Sequence, residues 1–451
     1  MFERILIANR GEVLLRLTRT FHKLGIGVAT FCSSQDAESH EAQSCDIIEI
    51  VDPEEAPGAP DLEKIARAAV RVARICGCSA IHPGYGIFDN SPILARAAEE
   101  AGICYLGPSA EEQVWLRDRA LVQQSAIEAG LRSPFLLELH FPLPCPEELP
   151  QLPFHHPFLV KTTWEAGEGN VINRCLDSGS LRAWALNHAS QPARYVLENW
   201  IERPRHIEVW LLSDGKEALP VADIESSVRR ENRRFIAESP APALGLSSRT
   251  EGKRAVLWAA AQGFAELLKI KGLLSAHFLL DPRGFLNFVG LRAGLSHEHL
   301  LVEMCTGEDL VYLELHLLSH QSLGSISRGI ESSGNAIQAR IEAPLTSNSP
   351  TISELRWPLA PQGTLRIESA LHVGYSPRPS IPPTIATFTT HGITRHDSIL
   401  SLDRALAESV IRPLHTNIRL LRRILNSESF RAGTIDEGIV DRIQFERAPN
   451  P

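Results

Sequence analysis

The first hundred residues alternate short apolar runs with amphipathic stretches. Residues 4–8 (RILIA) form a predicted strand, a helix follows over residues 13–24, and a second strand begins near residue 27. Further helices around residues 62–76 and 92–101 each lead into another short apolar run. Strands that alternate with helices in this way indicate a parallel sheet, whose ligands bind at the carboxyl ends of the strands. No GxGxxG motif follows the first strand, so a dinucleotide site is not predicted.

The pattern changes at residues 133–157, which contain seven prolines and are predicted to connect to a separate small domain. After them, an apolar strand delivers Lys161 just before a loop that carries Gly167 and Gly169. A lysine and exposed backbone N–H groups on such a hairpin can cover the phosphates of a nucleotide. A surface hairpin with an incidental lysine is the alternative interpretation.

A second stretch, residues 195–212 (YVLENWIERPRHIEVWLL), strengthens the nucleotide interpretation. It places Glu198 at a strand end, Ile201 in a connector and His206 at the head of the next strand. This arrangement can present a carboxylate and backbone groups to an adenine edge, although a hairpin with a solvated acid has the same pattern. Apolar periodicity is intact in the later helices around residues 256–268 and 417–425, so the chain encodes a packed fold.

Composition narrows the class of protein. The 451 residues have 43% hydrophobic content and suggest two to four domains. With 45 basic and 54 acidic residues the formal net charge is −9, which argues against nucleic acid or an anionic membrane as a partner. The eight cysteines include no CxxC pair, so we expect structural thiols rather than zinc ligands or disulfides. There is no signal-peptide core and no apolar run of about 18 residues, so a cytoplasmic protein is expected.

Seven segments carry a resemblance to a known family. In chain order they are IANRGEVLLR, IHPGYGIFDNSP, LGPSAE, ERPRHIEVWLLSDG, ESPAPAL, VEMCTGEDLV and HTNIRLLRRILNSESF. Together they resemble the biotin carboxylase subunit of acyl-CoA carboxylases, a member of the ATP-grasp superfamily, over about residues 1–445. The resemblance implies an α/β fold with a Rossmann-like amino-terminal domain (residues 1–115), an ATP-grasp domain (residues 116–330, with a lid at about 133–203) and a carboxyl-terminal biotin carboxylase-type domain (residues 331–447).

The resemblance also implies an activity and a set of site residues. Similar proteins use ATP and bicarbonate to make carboxyphosphate, and then carboxylate biotin carried on a partner protein. Glu298 matches the general base that deprotonates bicarbonate, Arg340 matches the arginine that holds the ureido oxygen of biotin, and Arg234 replaces a bicarbonate-side lysine. Arg16 and Arg366 match two further arginines of the family. The implied nucleotide-binding residues are Arg119, which replaces a lysine, and Lys161, Glu198, Ile201 and His206.

The chain departs from the family where the metal binds. ATP-grasp enzymes hold magnesium with two acids and an amide, and those positions here read His277, Gly290 and Arg292. Magnesium prefers oxygen ligands, so no metal-ligating residue is predicted and ATP binding is expected to be weak. The arginine that orients carboxyphosphate is replaced by Gly294, and a neighbouring glutamine by Ser296.

Two further departures concern charge. The predicted lid carries Trp164, Glu165 and Glu168, and two acids would repel a triphosphate unless they faced away from it. Arg292 introduces a positive charge where the metal would lie, so it could neutralise phosphates or close the site by pairing with Glu298. Asn232 stands at a histidine position of the family.

Three hypotheses follow. The first is a pseudoenzyme with an assembly or regulatory role, as a homodimer or as a heterodimer with a related carboxylase subunit. The second is an active carboxylase whose metal is held by other groups, such as Glu303 or phosphate oxygens alone, and the third is an ATP-grasp ligase for another acid. The chain has two methionines and no Met-Lys-Met biotin-attachment motif, so biotin would arrive on a biotin carboxyl carrier protein.

Overall fold

The computed structural model describes most of the chain. The described residues are 2–89, 91–141, 157–163, 172–188, 193–230, 233–245, 252–319, 322–326, 330–346, 349–361, 363–377 and 384–445. Outside them lie residues 142–156 of the proline-rich connection, the lid positions Trp164, Glu165, Gly167, Glu168 and Gly169, and Asn232. None of the described helices is long and apolar enough to cross a membrane.

The amino-terminal region is a parallel sheet flanked by helices, as the sequence predicts. Its strands are β1 (Arg4–Ile7), β2 (Gly27–Ser33), β3 (Ile47–Val51), β4 (Ala80–His82) and β5 (Cys104–Tyr105). The helices of this region are α1 (Gly11–Lys23), α2 (His40–Gln43), α3 (Leu62–Ile75), α4 (Pro92–Glu100), α5 (Ala110–Arg117) and α6 (Arg119–Glu128). The strands lie in the order β3-β2-β1-β4-β5 and all pair in parallel. Apolar residues at helical spacing in α1 are the ones buried against β1, so the periodicity selects the packed face.

A four-stranded antiparallel sheet follows, where the small domain is predicted. Its elements are β6 (Phe135–Phe141), β7 (Phe158–Thr162), β8 (Ile172–Cys175), α7 (Ser178–His188) and β9 (Ala193–Asn199). The strand order is β6-β9-β7-β8. The prediction that residues 133–157 only connect domains is wrong for residues 135–141. That stretch, FLLELHF, contains no proline, so each of its residues has a backbone N–H group, and it pairs with β9.

An eight-stranded antiparallel sheet forms the centre of the molecule. Its strands are β10 (Arg205–Asp214), β11 (Ala218–Arg230), β12 (Arg233–Ser239), β13 (Lys271–Leu280), β14 (Leu286–Ala293), β15 (Asn335–Glu342), β17 (Leu365–Glu368) and β18 (Thr384–Gly392). They lie in the order β14-β13-β10-β11-β12-β15-β18-β17. The pairing of β12 with β15 continues the sheet from the predicted ATP-grasp region into the predicted carboxyl-terminal region. The domain boundaries themselves stay predictions.

Helices cover both faces of this sheet. They are α8 (Lys253–Leu268), α9 (His299–Thr306), α10 (Leu310–Leu318), α11 (Leu323–Ile326), α12 (Arg395–Glu408), α13 (Ile418–Leu425), α14 (Glu428–Arg431) and α15 (Ile439–Phe445), and a short ribbon pairs β16 (Glu354–Arg356) with β19 (Val410–Arg412). Alternate residues of β10 enter different cores: Val209 packs with α6 and α8, whereas Trp210 packs with α1 and α10. The middle of the large sheet is therefore buried on both sides, and polar residues there need partners.

Candidate active site

The site is built around the carboxylate of Glu298, which immediately precedes α9 and is fully buried. Arg234 on β12 places its Nη1 2.9 Å from Oε1 of Glu298, and Arg340 on β15 pairs with the same oxygen. Ser296 donates from Oγ to the other oxygen, Oε2, at 2.7 Å. The structure thus brings together the three residues predicted to be catalytic. We call Glu298, Arg234 and Arg340 the carboxylate side.

The surroundings keep Glu298 ionised. Burial opposes its charge, but the guanidinium groups of Arg234 and Arg340 outweigh burial and hold the pKa of Glu298 well below its ordinary value. The carboxylate is therefore ionised and has a lone pair that can accept a proton, but the low pKa also makes it a weak base. Both neighbouring guanidinium groups are at present engaged by that same carboxylate.

A second buried carboxylate, Glu208 on β10, shares the arginine. Nη1 of Arg234 lies 3.0 Å from Oε1 of Glu208, and Ser226 donates to that oxygen at 2.8 Å. Burial raises the pKa of Glu208, but Arg234 and His277 outweigh it, so the net shift is downward. Sequence reasoning missed Glu208. The available signal was an acid in the apolar strand HIEVWLL, because a charge on a buried strand needs a partner.

The three positions that match the magnesium ligands of the family are called here the metal side: His277 on β13, and Gly290 and Arg292 on β14. Glu208 pairs with His277 across β10 and β13, and His277 pairs with Gly290 across β13 and β14. Residues directly opposite in neighbouring strands share a face of the sheet. The row therefore contains one carboxylate, one imidazole and no side chain at its third place.

This donor set does not fit magnesium, which takes several oxygen ligands at about 2.0–2.1 Å. Glu208 already meets Arg234 and Ser226, and Nδ1 of His277 lies 3.9 Å from Oε1 of Glu208. Among the described residues, no group of three or more His, Cys, Asp or Glu side chains is arranged to hold a metal ion.

The structure gives no support for two suggested roles, that of Arg292 as a partner of Glu298 and that of Glu303 as a metal ligand. Within the part of the chain that the structure describes, the ion pairs of Glu298 are with Arg234 and Arg340, so Arg292 does not close the site by pairing with Glu298. Glu303, the suggested replacement metal ligand, is paired with arginines. Its Oε1 and Oε2 each lie 2.5 Å from a guanidinium nitrogen, of Arg16 and Arg366 respectively.

Gly294 has a backbone conformation that matters for any attempt to restore the family's arginine there. Its φ is +92°, a region that residues with a Cβ atom rarely adopt. By contrast, a Cβ built on Gly290 meets nothing within 4 Å, and its φ is not in the left-handed region. A side chain at Gly294 would therefore strain the backbone. At Gly290 a side chain could be added without such strain.

The residues predicted to bind nucleotide are called here the nucleotide side. The hairpin of β7 and β8 delivers one of them, Lys161, as predicted, but the lysine is already paired. Nζ of Lys161 lies 2.6 Å from Oε2 of Glu198, which is itself buried. Gln123 donates to the other oxygen of Glu198 at 2.7 Å. The residue predicted for the phosphates and one predicted for adenine therefore neutralise each other.

The remaining nucleotide-side residues lie nearby. Ile201 is in the connector between β9 and β10 and is partly buried. Arg119 begins α6, and its backbone N–H donates to the carbonyl of Thr163 just beyond β7 at 2.9 Å. His206 heads β10 and contacts both Arg229 and Glu437, two residues that sequence reasoning did not select. The roles of these residues stay predictions.

Comparison with known protein families covers most of the chain. Residues 1–112 match the N-terminal domain of biotin carboxylase, residues 155–326 match the ATP-binding domain of the carbamoyl-phosphate synthase L chain, and residues 338–442 match the biotin carboxylase C-terminal domain.

Curated relatives match along almost the whole chain. The chain is 29% identical to the biotin carboxylase of Halalkalibacterium halodurans over 465 residues, which covers all of both chains. It is also 29% identical to the urea amidolyase of Lachancea kluyveri, covering 99% of this chain but only 24% of that protein. Biotin carboxylase 1 of Bacillus subtilis is likewise 29% identical, with 96% of this chain and 97% of that protein covered.

Solved structures have the same fold. The biotin carboxylase domain of 2-oxoglutarate carboxylase from Hydrogenobacter thermophilus, determined with MgADP, ADP and bicarbonate, superposes with a TM-score of 0.87 at 24% identity over the whole of both chains. A biotin carboxylase complex from Campylobacter jejuni gives a TM-score of 0.85 at 24% identity, covering 98% of this chain and 99% of that one. With the three domains in the family's order and curated relatives that match along the full length, the chain belongs to the biotin carboxylase family of ATP-grasp proteins.

Proposed function

We propose that this protein is a biotin carboxylase-fold pseudoenzyme, which binds nucleotide weakly and serves in the assembly or regulation of an acyl-CoA carboxylase. The observation that carries the proposal is the metal side. An imidazole, a glycine and a guanidinium stand where oxygen donors are required, and the nearest carboxylate, Glu208, is engaged by Arg234. The protein would act as a homodimer, or as a heterodimer with a related carboxylase subunit.

An active carboxylase is the second candidate, because the carboxylate side is complete. Glu298 would take the proton of bicarbonate, and Arg340 would stabilise negative charge on the ureido oxygen of biotin supplied by a carrier protein. For that to occur, Arg340 has to leave Glu298 and turn to biotin. Another ATP-grasp ligase activity has less support, since Glu298 and Arg340 suit bicarbonate and biotin.

Calorimetry with ATP tests the nucleotide part of the proposal. We expect weak binding that is nearly the same with magnesium and with EDTA, because the chain offers cations but no set of metal ligands. Tight binding that disappears on chelation would contradict the proposal and show that replacement ligands exist.

Bicarbonate-dependent ATP hydrolysis tests turnover. Stabilisation of the transferring phosphoryl group by metal contributes several kcal/mol to such reactions, and each 1.4 kcal/mol corresponds to about tenfold in rate. We therefore expect a rate at least ~100- to 1000-fold below that of a standard biotin carboxylase. Neither free biotin nor a biotinylated carrier should raise the rate above background.

The control for turnover is the combined reversion His277→Glu, Gly290→Glu and Arg292→Asn. The changes are made together because a single new carboxylate beside Arg292 would pair with it. The protein must be purified free of any active carboxylase. Robust hydrolysis by the unmodified chain that is abolished by Glu298→Ala, with the variant shown to be folded by circular dichroism, would establish the active carboxylase instead.

A further inference from the structure

A segment near the carboxyl terminus, residues 436–445, packs against the head of β10 and the end of β11. The backbone N–H of Glu437 donates to the carbonyl of Pro204 at 3.2 Å. Arg230, at the end of β11, lies 3.3 Å from Asp441 through Nε and donates to Gln444 at 2.6 Å. We call residues 436–445 the terminal segment. These contacts bring the side chain of Glu437 to His206.

The hydrogen-bonding roles around His206 follow from its partners. Nη1 of Arg229 lies 2.6 Å from Nδ1 of His206 and 3.1 Å from Nε2, and a guanidinium can only donate, so the shorter contact assigns Nδ1 as the acceptor. Burial and then the charge of Arg229 lower the pKa of His206 to about 4, which leaves the imidazole neutral near pH 7. Its single proton is therefore on Nε2 and is donated to Oε1 of Glu437.

Glu437 is negatively charged and lies among positively charged residues. Burial opposes its charge, but the hydrogen bond from His206 and the charges of Arg229 and Lys161 lower its pKa. Its Oε1 lies 3.9 Å from Nη1 of Arg229. Lys161 is likewise paired with Glu198. Carboxylates of the chain itself therefore neutralise both Lys161 and Arg229.

Glu437 does not satisfy Arg229 completely. The buried Nε of Arg229 has no hydrogen-bond partner among the described residues. Burial, followed by the charge of Arg234, lowers the pKa of Arg229 to about 10, and Arg292 acts in the same direction. The charge of Arg229, which two neighbouring guanidinium groups disfavour, would be stabilised by additional negative charge. The side chain of Glu437 is 32% exposed, so it can leave into solvent.

We propose that Arg229 binds a phosphate group of a nucleotide and that Glu437 is an internal competitor, which holds this position until the ligand displaces it. The inference rests on the proposed function, in which nucleotide binds without magnesium. It identifies Glu437 as the group that limits the affinity for nucleotide. Displacement would release the terminal segment from His206. Binding of nucleotide on one side of the protein is thereby coupled to the order of residues 436–445.

The test is calorimetry with ADP in EDTA on the full chain and the variant Glu437→Gln. The glutamine keeps the shape and can still accept from Nε2 of His206, but it removes the competing charge. We expect ADP to bind the variant about fivefold or more tightly than the wild type. Glu408→Gln, the same substitution in an exposed pair with Arg404, is the matched control and should stay within about twofold of the wild type.

Two further measurements identify the position and the movement. Adding Arg229→Gln to Glu437→Gln should abolish the gain in affinity, and saturating ADP should increase hydrogen exchange of residues 436–445 in the wild type. Equal ADP affinities of wild type and Glu437→Gln, or no ADP binding by either folded protein, would overturn the inference. Bicarbonate-dependent ATP turnover by the wild type, together with tighter ADP binding by Glu437→Gln, would instead contradict the proposed function and leave the competition intact.

Discussion

The carboxylate side and the metal side both include residues of the eight-stranded sheet, but their charges are paired differently. On the carboxylate side, Glu298 is buried between two arginines of the opposite sign, and each partner belongs to a different element. On the metal side, Gly290 contributes no side chain and Arg292 adds positive charge without a carboxylate to match it among the described contacts. On the carboxylate side the charges are paired with one another. The metal side lacks the oxygen ligands with which the family binds magnesium.

Packing gives a reason for the residues of the carboxylate side that does not apply to the metal side. The pair between Glu298 and Arg340 joins the start of α9 to β15, so it belongs to the packing of the large sheet as well as to any chemistry. Ligands for a metal are needed only if a metal binds. The presence of Glu298 and Arg340 is therefore weaker evidence for turnover than the sequence suggests, because packing alone is a reason for them.

The largest expected effect is on the carboxylate side. Glu298→Ala would leave two largely buried guanidinium groups without their shared carboxylate, so we expect it to lower the free energy of unfolding by about 3 kcal/mol. Urea denaturation measures the change. The control is Glu354→Ala, which removes half of an exposed pair with Arg412 and should cost less than about 0.5 kcal/mol. A cost for Glu298→Ala equal to that of the control would show that the network does not stabilise the fold.

The next effect is on the pH dependence of stability and also concerns the carboxylate side. His299 follows Glu298 and is fully buried, and burial is the main cause that lowers its pKa to about 4. Since its pKa in the unfolded chain is about 6.5, the unfolded state binds more protons between these values. The contribution of His299 is complete above about pH 6.5 and is lost as the pH falls toward 4.

This is checked by measuring the free energy of unfolding from pH 7 to pH 5. His299→Leu should reduce the slope by up to about one proton, whereas His415→Leu at an exposed position should keep the wild-type slope. Identical slopes for wild type and His299→Leu would mean that the imidazole is protonated in the folded protein.

The smallest effects separate two glycines. Gly290→Ala adds a side chain in open space on a strand and should raise the free energy of unfolding by about 0.5 kcal/mol. Gly294→Ala should lower it by about 1 kcal/mol, because φ at this residue is +92°. Thermal or urea denaturation distinguishes the two signs. If Gly294→Ala were neutral, the arginine of the family could be restored there without backbone strain.

Local pattern predicted much of the fold and part of the site. The spacing of apolar residues predicted α1 and the strands around it, because helix and strand periods are properties of neighbouring residues. The β7–β8 hairpin with Lys161 was predicted for the same reason. Strand β6 was missed because the prolines around it dominated the interpretation of the whole stretch.

The sequence by itself determined which chemical groups the protein has: the carboxylate and arginines of the carboxylate side, and the absence of oxygen donors at Gly290 and Arg292. Only the tertiary structure decided which groups meet. Glu208 reaches Arg234 through the order of strands in the sheet, and Glu437 reaches His206 from 231 residues further along the chain. Such pairs depend on strand register and on the packing of distant segments, and no local spacing in the sequence encodes them.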